Sequence, residues 1–325
     1  MQPLKFKMQR LTSQIKRAIA LLNNDDVIAI PTETVYGLAE NVHSEKATSK
    51  IFKLKNRPSF NPLIVHIKLL AYLENVAIDI PDKAIKLAET FFPGALTLVL
   101  KKQTTIPDSV TAGKVTVAVR VPNHPVTISL LEQLNFPLAA PGANPFGSIS
   151  PTSAEHVYTY FKDKLSLILD GGICQKGLES TIIGFQNNQP ILYRHGSISV
   201  EEIESVIGKL KIITKNETTP DAPGMLSKHY APITKTFLTS DVNELIKKHF
   251  GKKIGLLLFD QKITGATILC QEILSTTSNL EQAASNLYSA LHRLDKLRLD
   301  VIIAERFPDA GLGKTINDKL ERASK

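Results

Sequence analysis

Short apolar runs rich in β-branched residues alternate with stretches of helical periodicity along nearly the whole chain. That alternation leaves few options other than an α/β sheet with helices packed against it. Val27–Ile30, Leu63–Ile67, Leu96–Lys101, Val115–Val121, Leu138–Ala140, Leu167–Leu169, Ser180–Phe185 and Ile191–Tyr193 read as strands. Thr12–Asn23, Glu45–Leu54, Asp82–Phe91, His124–Asn135, Ser153–Phe161 and Val200–Ile207 read as helices, and Phe92-Pro93-Gly94 is a helix stop. At 325 residues the chain exceeds a typical single domain. Thr214–Pro232 breaks the alternation with Pro220, Pro223, Gly224 and Pro232, and reads as a linker. A linker of that length is either disordered or functional. Strands resume at Thr236–Leu238, Ile254–Phe259, Ala266–Leu269 and Val301–Ala304, and the helix Leu280–Leu299 has its apolar face at Ala283, Leu287, Leu291 and Leu294. The expected organisation is a mixed α/β domain over 1–212, a linker over 213–232 and a smaller α/β domain over 233–325.

Charge and cysteine content narrow the function classes. A formal charge of +8 suits a polyanionic ligand such as a nucleotide or a nucleic acid, but no run of basic residues stands out. Cys174 and Cys270 are far apart and match no metal or redox spacing, so a reducing compartment, with the cytoplasm as the simplest address, is expected. No apolar stretch reaches membrane-spanning length. GxSxG, HExxH and GxGxxG are absent. Gly311–Thr315 (GLGKT) resembles the end of a phosphate loop, but Asp309 stands where that motif requires glycine.

Chemistry concentrates at strand ends. Pro31–Ile67 runs PTETVYGL, then a helix ending in Lys55 and Arg57, then Asn61 and the strand histidine His66. Cations at a helix C-terminus are ordinarily a solvated end favoured by the dipole; here they also form a candidate phosphate clamp stiffened by Pro58 and Pro62. A lone strand histidine is more often a core residue than a ligand contact. Arg120, in TVAVRVP, is harder to set aside, because a buried guanidinium keeps its charge and needs an anionic partner. That partner is either internal, Glu33 or Glu179, or a substrate carboxylate. Ala139–His156 packs Pro141, Gly142, Asn144, Pro145 and Gly147 into a segment permitting close backbone approach to a ligand; Ser153 there is a helix cap. Ser180 and Thr181 open a strand in GLESTII, and Arg194 closes the next in ILYRHG.

Taken in order, PTETVYGL, KxRP…NPLIVH, PGALT, TVAVRVP, AAPGANPFGSISPT, LEST and RHG resemble the YrdC-like family, and APGMLSKHYAP with the extra α/β domain resembles its long form. The resemblance runs from about residue 12 to 325 and is strongest over 27–196. It implies a strongly twisted mixed sheet with helices around a large basic cavity, plus a smaller Rossmann-like C-terminal domain. The activity implied is L-threonylcarbamoyladenylate synthesis: L-threonine, bicarbonate and ATP are joined and pyrophosphate is released. ATP is a substrate, used with Mg2+, with no permanently bound cofactor and no protein metal site. The product feeds a tRNA threonylcarbamoyl transferase complex that modifies adenosine 37, with weak tRNA binding and no membrane association. By the same resemblance Thr34, His66, Arg120, Gly142 and Ser180 form a threonine pocket, and Arg57, Asn61, Thr116, Ala140, Ser150, Arg194 and Tyr230 contact ATP. Lys55 and Arg57 stabilise the charge that develops on phosphate. Gly142 stands where the family often has serine, and Leu226-Ser227 where a basic-aromatic pair is common, which implies a less tightly anchored linker. The competing reading is a non-enzymatic RNA-binding protein with a basic concave surface, against which the missing RNA-binding aromatic motifs count. Another carbamoyl-transfer role, as in hydrogenase-maturation proteins, would bring zinc-finger and acylphosphatase-like regions that this sequence lacks.

Overall fold

A computed structural model describes residues 2–216, 218, 220–264 and 268–325, with side chains from Thr12 onward. Strands β1 (Ile28–Ile30), β2 (Gly37–Asn41), β3 (Ile64–His66), β4 (Ala77–Ile78), β5 (Leu96–Lys102), β6 (Thr116–Arg120), β7 (Leu138–Ala139), β8 (Thr181–Gln186), β9 (Gln189–Arg194) and β10 (Lys211–Ile212) make one mixed sheet. Its order is β1-β2-β7-β3-β6-β5-β8-β9-β10, with β4 paired to β5. Helices α1 (Gln2–Asn23), α2 (Glu45–Lys55), α3 (Asp82–Phe91), α4 (Asp108–Thr111), α5 (Pro125–Glu132), α6 (Ala154–Phe161) and α7 (Val200–Ile207) surround it.

The alternation of the strands decides what each face buries. Val65, Leu98, Leu100, Val117, Val119 and Ile183 point to one face, where Leu87 of α3 and Ile203 of α7 cover them. Ile64, Val99, Ala118, Ile182, Ile191 and Tyr193 point to the other. Among the described residues no helix packs with that second set. Ala222 and Met225, from the segment between the sheets, pack there instead. Burying a side chain the size of Met225 contributes about 1.5–3 kcal/mol, so this segment is held against the sheet and does not hang free.

A second sheet is parallel throughout, with β11 (Thr236–Thr239), β12 (Ile254–Leu258), β13 (Ile268–Ile273) and β14 (Val301–Glu305) in the order β11-β14-β12-β13. With it go α8 (Val242–Lys248), α9 (Leu280–Lys296) and α10 (Leu312–Ala323). The expected apolar face of α9 is buried, and with Tyr288 it shares one core with Val35, Ile149, Leu178 and Tyr230. The two sheets therefore meet through α9 and the intervening segment.

The differences from the sequence reading have local causes. β2 was not expected, because Gly-Leu-Ala-Glu-Asn has little strand propensity; tertiary pairing with β1 and β7 imposes it. Leu167–Leu169 is no strand and contributes a single parallel bridge, Ala29 to Ile168. The expected strand Ala266–Leu269 lies partly outside the described residues, and β13 begins at Ile268. Gly311–Thr315 opens α10: Lys314 pairs with Glu201 at 2.7 Å and Thr315 Oγ1 donates to the Gly196 carbonyl at 3.0 Å. Among the described residues no helix is long and apolar enough to cross a membrane.

Candidate active site

The uncovered face of the sheet carries polar side chains at its strand ends. On β3 and β6, His66 and Arg120 have the same parity as Ile64 and Ala118, and the two strands pair in parallel with His66 opposite Arg120. Arg194 reaches this face differently. β9 pairs Arg194 with Ile182 and Leu192 with Ile183, so Tyr193 is an extra residue, a bulge. Without the bulge Arg194 would share the parity of Leu192 and point into the helix-covered core.

α2 delivers the next two cations. Ser44 caps its start, accepting from the Ala47 amide, and Asn56 ends it in the left-handed region at φ 49. The Arg57 amide turns back to the Phe52 carbonyl at 3.0 Å. Lys55 Nζ donates to the Gly142 carbonyl at 2.5 Å and to the Asn144 carbonyl. Arg57 donates to the Asn61 carbonyl at 3.1 Å, to Asn61 Oδ1 at 2.8 Å and to the Pro62 carbonyl at 2.8 Å. Arg194 donates to the Ser180 carbonyl and Ser180 Oγ, both at 3.0 Å, and to the Pro223 carbonyl at 3.4 Å.

Lys55, Arg57 and Arg194 are buried, and each bonds to neutral oxygens without a carboxylate partner among the described residues. Burial, then the charge of Arg57, holds the Lys55 amine well below the ordinary lysine range. Burial, then the charge of Arg194, pushes Arg57 down to about 9. Two buried nitrogens beside them have no hydrogen-bond partner among the described residues, Asn61 Nδ2 and His229 Nδ1. Burial and the surrounding cations, Arg57 first, hold His229 well below its usual range and so neutral. Uncompensated buried cations and orphaned polar atoms are costly, and an arriving anion would relieve both.

Arg120 has a different environment. Its Nη2 meets Glu33 Oε1 at 2.6 Å, Nη1 donates to Thr34 Oγ1 at 2.9 Å and Nε to the Gly94 carbonyl at 3.0 Å. Of the partners open in sequence, the structure selects Glu33. The other carboxylate, Glu179, accepts from Ser150 Oγ at 2.5 Å and from Tyr288 of α9 at 2.8 Å.

A cavity of about 40 Å³ is lined by Thr34, His66, Arg120, Gly142 and Ser180, together with Ala140, Glu179 and Arg194. The whole set expected to hold threonine thus converges on one space. Arg57 and Asn61 are bonded to each other but stand off this cavity, as do Ser150 and Tyr230. Thr116 shares the face of Arg120 yet sits at the far end of β6, also off the lining. The volume holds a few waters and no nucleotide, unlike the large cavity expected. Ala222 and Met225 pack onto the sheet, and the Pro223 carbonyl accepts from Arg194. A larger cavity of about 480 Å³, lined by Ile67, Tyr72, Ile106, Leu134 and Phe136 among others, includes none of the residues singled out in sequence.

Tyr230 is buried at φ 62, stacked on Tyr288 with ring centroids 5.7 Å apart, beneath Lys319 Nζ at 4.7 Å from its ring. At Leu226 the linker is held from α10, where Arg322 Nη1 donates to the Leu226 carbonyl at 2.5 Å. Tyr288, Lys319 and Arg322 escaped the sequence reading because in an amphipathic helix they look like ordinary core and surface residues. His229 carried a signal, its adjacency to Tyr230 in KHYAP.

Carboxylate-free buried cations beside a hydroxyl-lined cavity at the strand ends of a mixed sheet define a protein built to take a small polyanionic ligand. Two family models match the chain. Residues 20–196 match the Sua5–YciO–YrdC model, described as telomere recombination, and 198–325 match the model described as threonylcarbamoyl-AMP synthase, C-terminal domain. The chain is 40% identical to a threonylcarbamoyl-AMP synthase of Pyrococcus abyssi, across 96% of this chain and 94% of the relative. It is 39% identical to one of Bacillus subtilis, across 96% and 93%. The crystal structure of P. abyssi Sua5 complexed with L-threonine superposes with a TM-score of 0.88 at 40% identity, across 95% of this chain and 94% of that one. The chain belongs to the threonylcarbamoyl-AMP synthase family.

Proposed function

We propose that this protein joins L-threonine, bicarbonate and ATP into L-threonylcarbamoyladenylate, releasing pyrophosphate, for N6-threonylcarbamoylation of adenosine 37 in tRNA. The observation that carries the reading is the set Lys55, Arg57 and Arg194, buried and without carboxylates among the described residues. A triphosphate would supply the missing charge. The Asn61 amide and the His229 imidazole would find partners in the same ligand. Threonine would occupy the cavity of Thr34, His66, Arg120, Gly142 and Ser180. Burial, then Arg120, pushes His66 down to about 3, so it would meet the amino acid as a neutral imidazole. Arg120 would reach the threonine carboxylate with its charge already shared with Glu33, which lowers the strength of that contact.

In the reaction, the threonine amine adds to CO2 with loss of a proton, or condenses with bicarbonate with loss of water, to give a carbamate. A carbamate oxygen attacks the α-phosphorus, the α–β bridging P–O bond breaks, and pyrophosphate leaves. Negative charge grows on the phosphate oxygens, where Lys55 and Arg57 would act by position and charge. Arg194 and Ala140 would hold the nucleotide, with Ser150 and Thr116 farther out. Mg2+ would arrive on the triphosphate as part of the substrate; among the described residues no three His, Cys, Asp or Glu side chains group together.

The same proposal divides the chain into a catalytic unit over 1–212, a linker acting as a lid over 213–232 and a C-terminal unit over 233–325. ATP would enter when the linker lifts from the sheet face that Ala222 and Met225 cover. The defining assay is pyrophosphate release from ATP with and without L-threonine and bicarbonate, with the adenylate checked by mass. Release that needs both co-substrates and yields threonylcarbamoyl-AMP is the expected result. A folded protein that releases no pyrophosphate in response to threonine would refute the assignment.

A further inference from the structure

Helix α10 lies far from the sheet that carries the cavity in sequence, yet its last two turns reach the linker with side chains almost wholly withdrawn from solvent. Lys319 and Arg322 are each 1% exposed. Surface helices rarely bury such cations unless they are paired and hydrogen-bonded.

Arg322 joins two parts of the linker that are distant along the chain. Its Nη2 donates to the Thr214 carbonyl at 2.9 Å, near the linker's start, and its Nη1 to the Leu226 carbonyl at 2.5 Å. Its own carbonyl accepts from the His229 amide at 3.4 Å. Lys319 Nζ donates to the His195 carbonyl at 2.8 Å, directly after Arg194, and lies 3.4 Å from Tyr230 Oη. Asp318 is the carboxylate for both, 3.0 Å from Arg322 and 3.5 Å from Lys319. Three residues of one helix thus tie the two limbs of the linker to each other and to the end of β9. The hydrogen bonds of Thr34, His66 and Arg120 go instead to Thr32, Ile64, Gly94 and Glu33 and to each other.

We propose that Asp318, Lys319 and Arg322 are positioning residues that latch the linker, and with it Tyr230, over the nucleotide end of the site. This rests on the ATP-binding reading above and extends it to a task for the C-terminal unit. The latch must let go when ATP enters and re-form over it, so its strength sets ATP affinity and leaves threonine recognition alone. A buried charge-assisted hydrogen bond is strong enough for its loss to be read as a change of about tenfold or more.

The test measures pyrophosphate release by the full-length protein against ATP at saturating threonine, and against threonine at saturating ATP. In Arg322→Met, which keeps the aliphatic stem and removes the donors, KM for ATP should rise about tenfold or more, with KM for threonine within roughly twofold. Arg322→Lys, able to reach one carbonyl but not both, should fall between. Lys319→Met repeats the test through the Tyr230 and His195 contacts if Arg322→Met does not fold. A folded variant with unchanged KM for ATP overturns the latch, and so does a parallel rise in both KM values, which marks general loosening. The wild type keeps the two ideas apart: without threonine-dependent release it is the synthase reading that fails, while a normal wild type beside unaffected variants removes the latch alone.

Discussion

Removing Arg120 should unfold this protein more readily than removing almost any other single polar residue, and removing Glu33 as well should restore much of the loss. The pair is 2.6 Å apart with side chains 5% and 7% exposed. Burial alone would raise the Glu33 carboxyl, but the Arg120 charge and hydrogen bond outweigh it and hold the carboxyl below its usual range. In Arg120→Met the carboxylate keeps backbone amides, Asn123 at 2.9 Å among them, but loses its paired charge while still buried. Breaking a buried pair by deleting one partner costs about 3–5 kcal/mol, whereas replacing both is often close to neutral. For a protein of this size that is a fall in melting temperature of roughly 4–7 °C. Circular dichroism is the appropriate readout, because the chain has no tryptophan. The double variant Glu33→Gln/Arg120→Met should regain at least about 2 kcal/mol over Arg120→Met, while remaining inactive if Arg120 holds the threonine carboxylate. Glu33→Gln alone leaves Arg120 unpaired, so L-threonine should stabilise that variant by more than it stabilises the wild type. A cost below about 1 kcal/mol for Arg120→Met, a value typical of an exposed pair, would refute the reasoning, as would a double variant no more stable than the single.

Gly224→Ala should cut pyrophosphate release by about tenfold, because an added Cβ at φ 88 would sit 2.8 Å from Arg194 Cδ and 3.1 Å from Tyr230 Oη; steady-state assay of the folded variant checks it. Glu40 is buried with one oxygen unpartnered, and burial pushes its carboxyl up to about 8. A folded pKa above the unfolded one means stability that is complete below about 4.3 and is lost as pH rises through about 8. Glu40→Gln should therefore gain on the wild type by about 1–3 kcal/mol between pH 5 and pH 8, as followed by denaturation at both values; a constant difference would contradict the assignment. ATP should bind with proton uptake, since a triphosphate beside Lys55 raises an amine that burial holds low. Titration calorimetry in buffers of different ionisation enthalpy would detect the proton, and a buffer-independent heat would exclude it.

The parts of this site legible in sequence are those in which a local rule and the tertiary outcome agree. His66 and Arg120 stand out because a polar residue interrupts a β-branched run, and strand parity alone puts each on the face of Ile64 and Ala118. Asp82–Phe91 and Val200–Ile207 were readable to the residue because periodicity and flanking stops coincide. What escaped depends on pairing between distant segments. The bulge at Tyr193 decides whether Arg194 meets the site or the core, and nothing in ILYRHG reports a register set by β8. The choice of Glu33 over Glu179 for Arg120 is likewise a fact of packing, since Glu179 is claimed by Ser150 and by a tyrosine more than a hundred residues away. The cover of the second sheet face is also a fact of packing, since the linker's Ala222 and Met225 supply its apolar contacts. That last point bears on mechanism. A segment that completes a hydrophobic face cannot lift without exposing it, so opening must be brief or coupled to ligand entry. The latch residues on α10 are where the balance between the closed and lifted states can be tuned without touching the reacting groups.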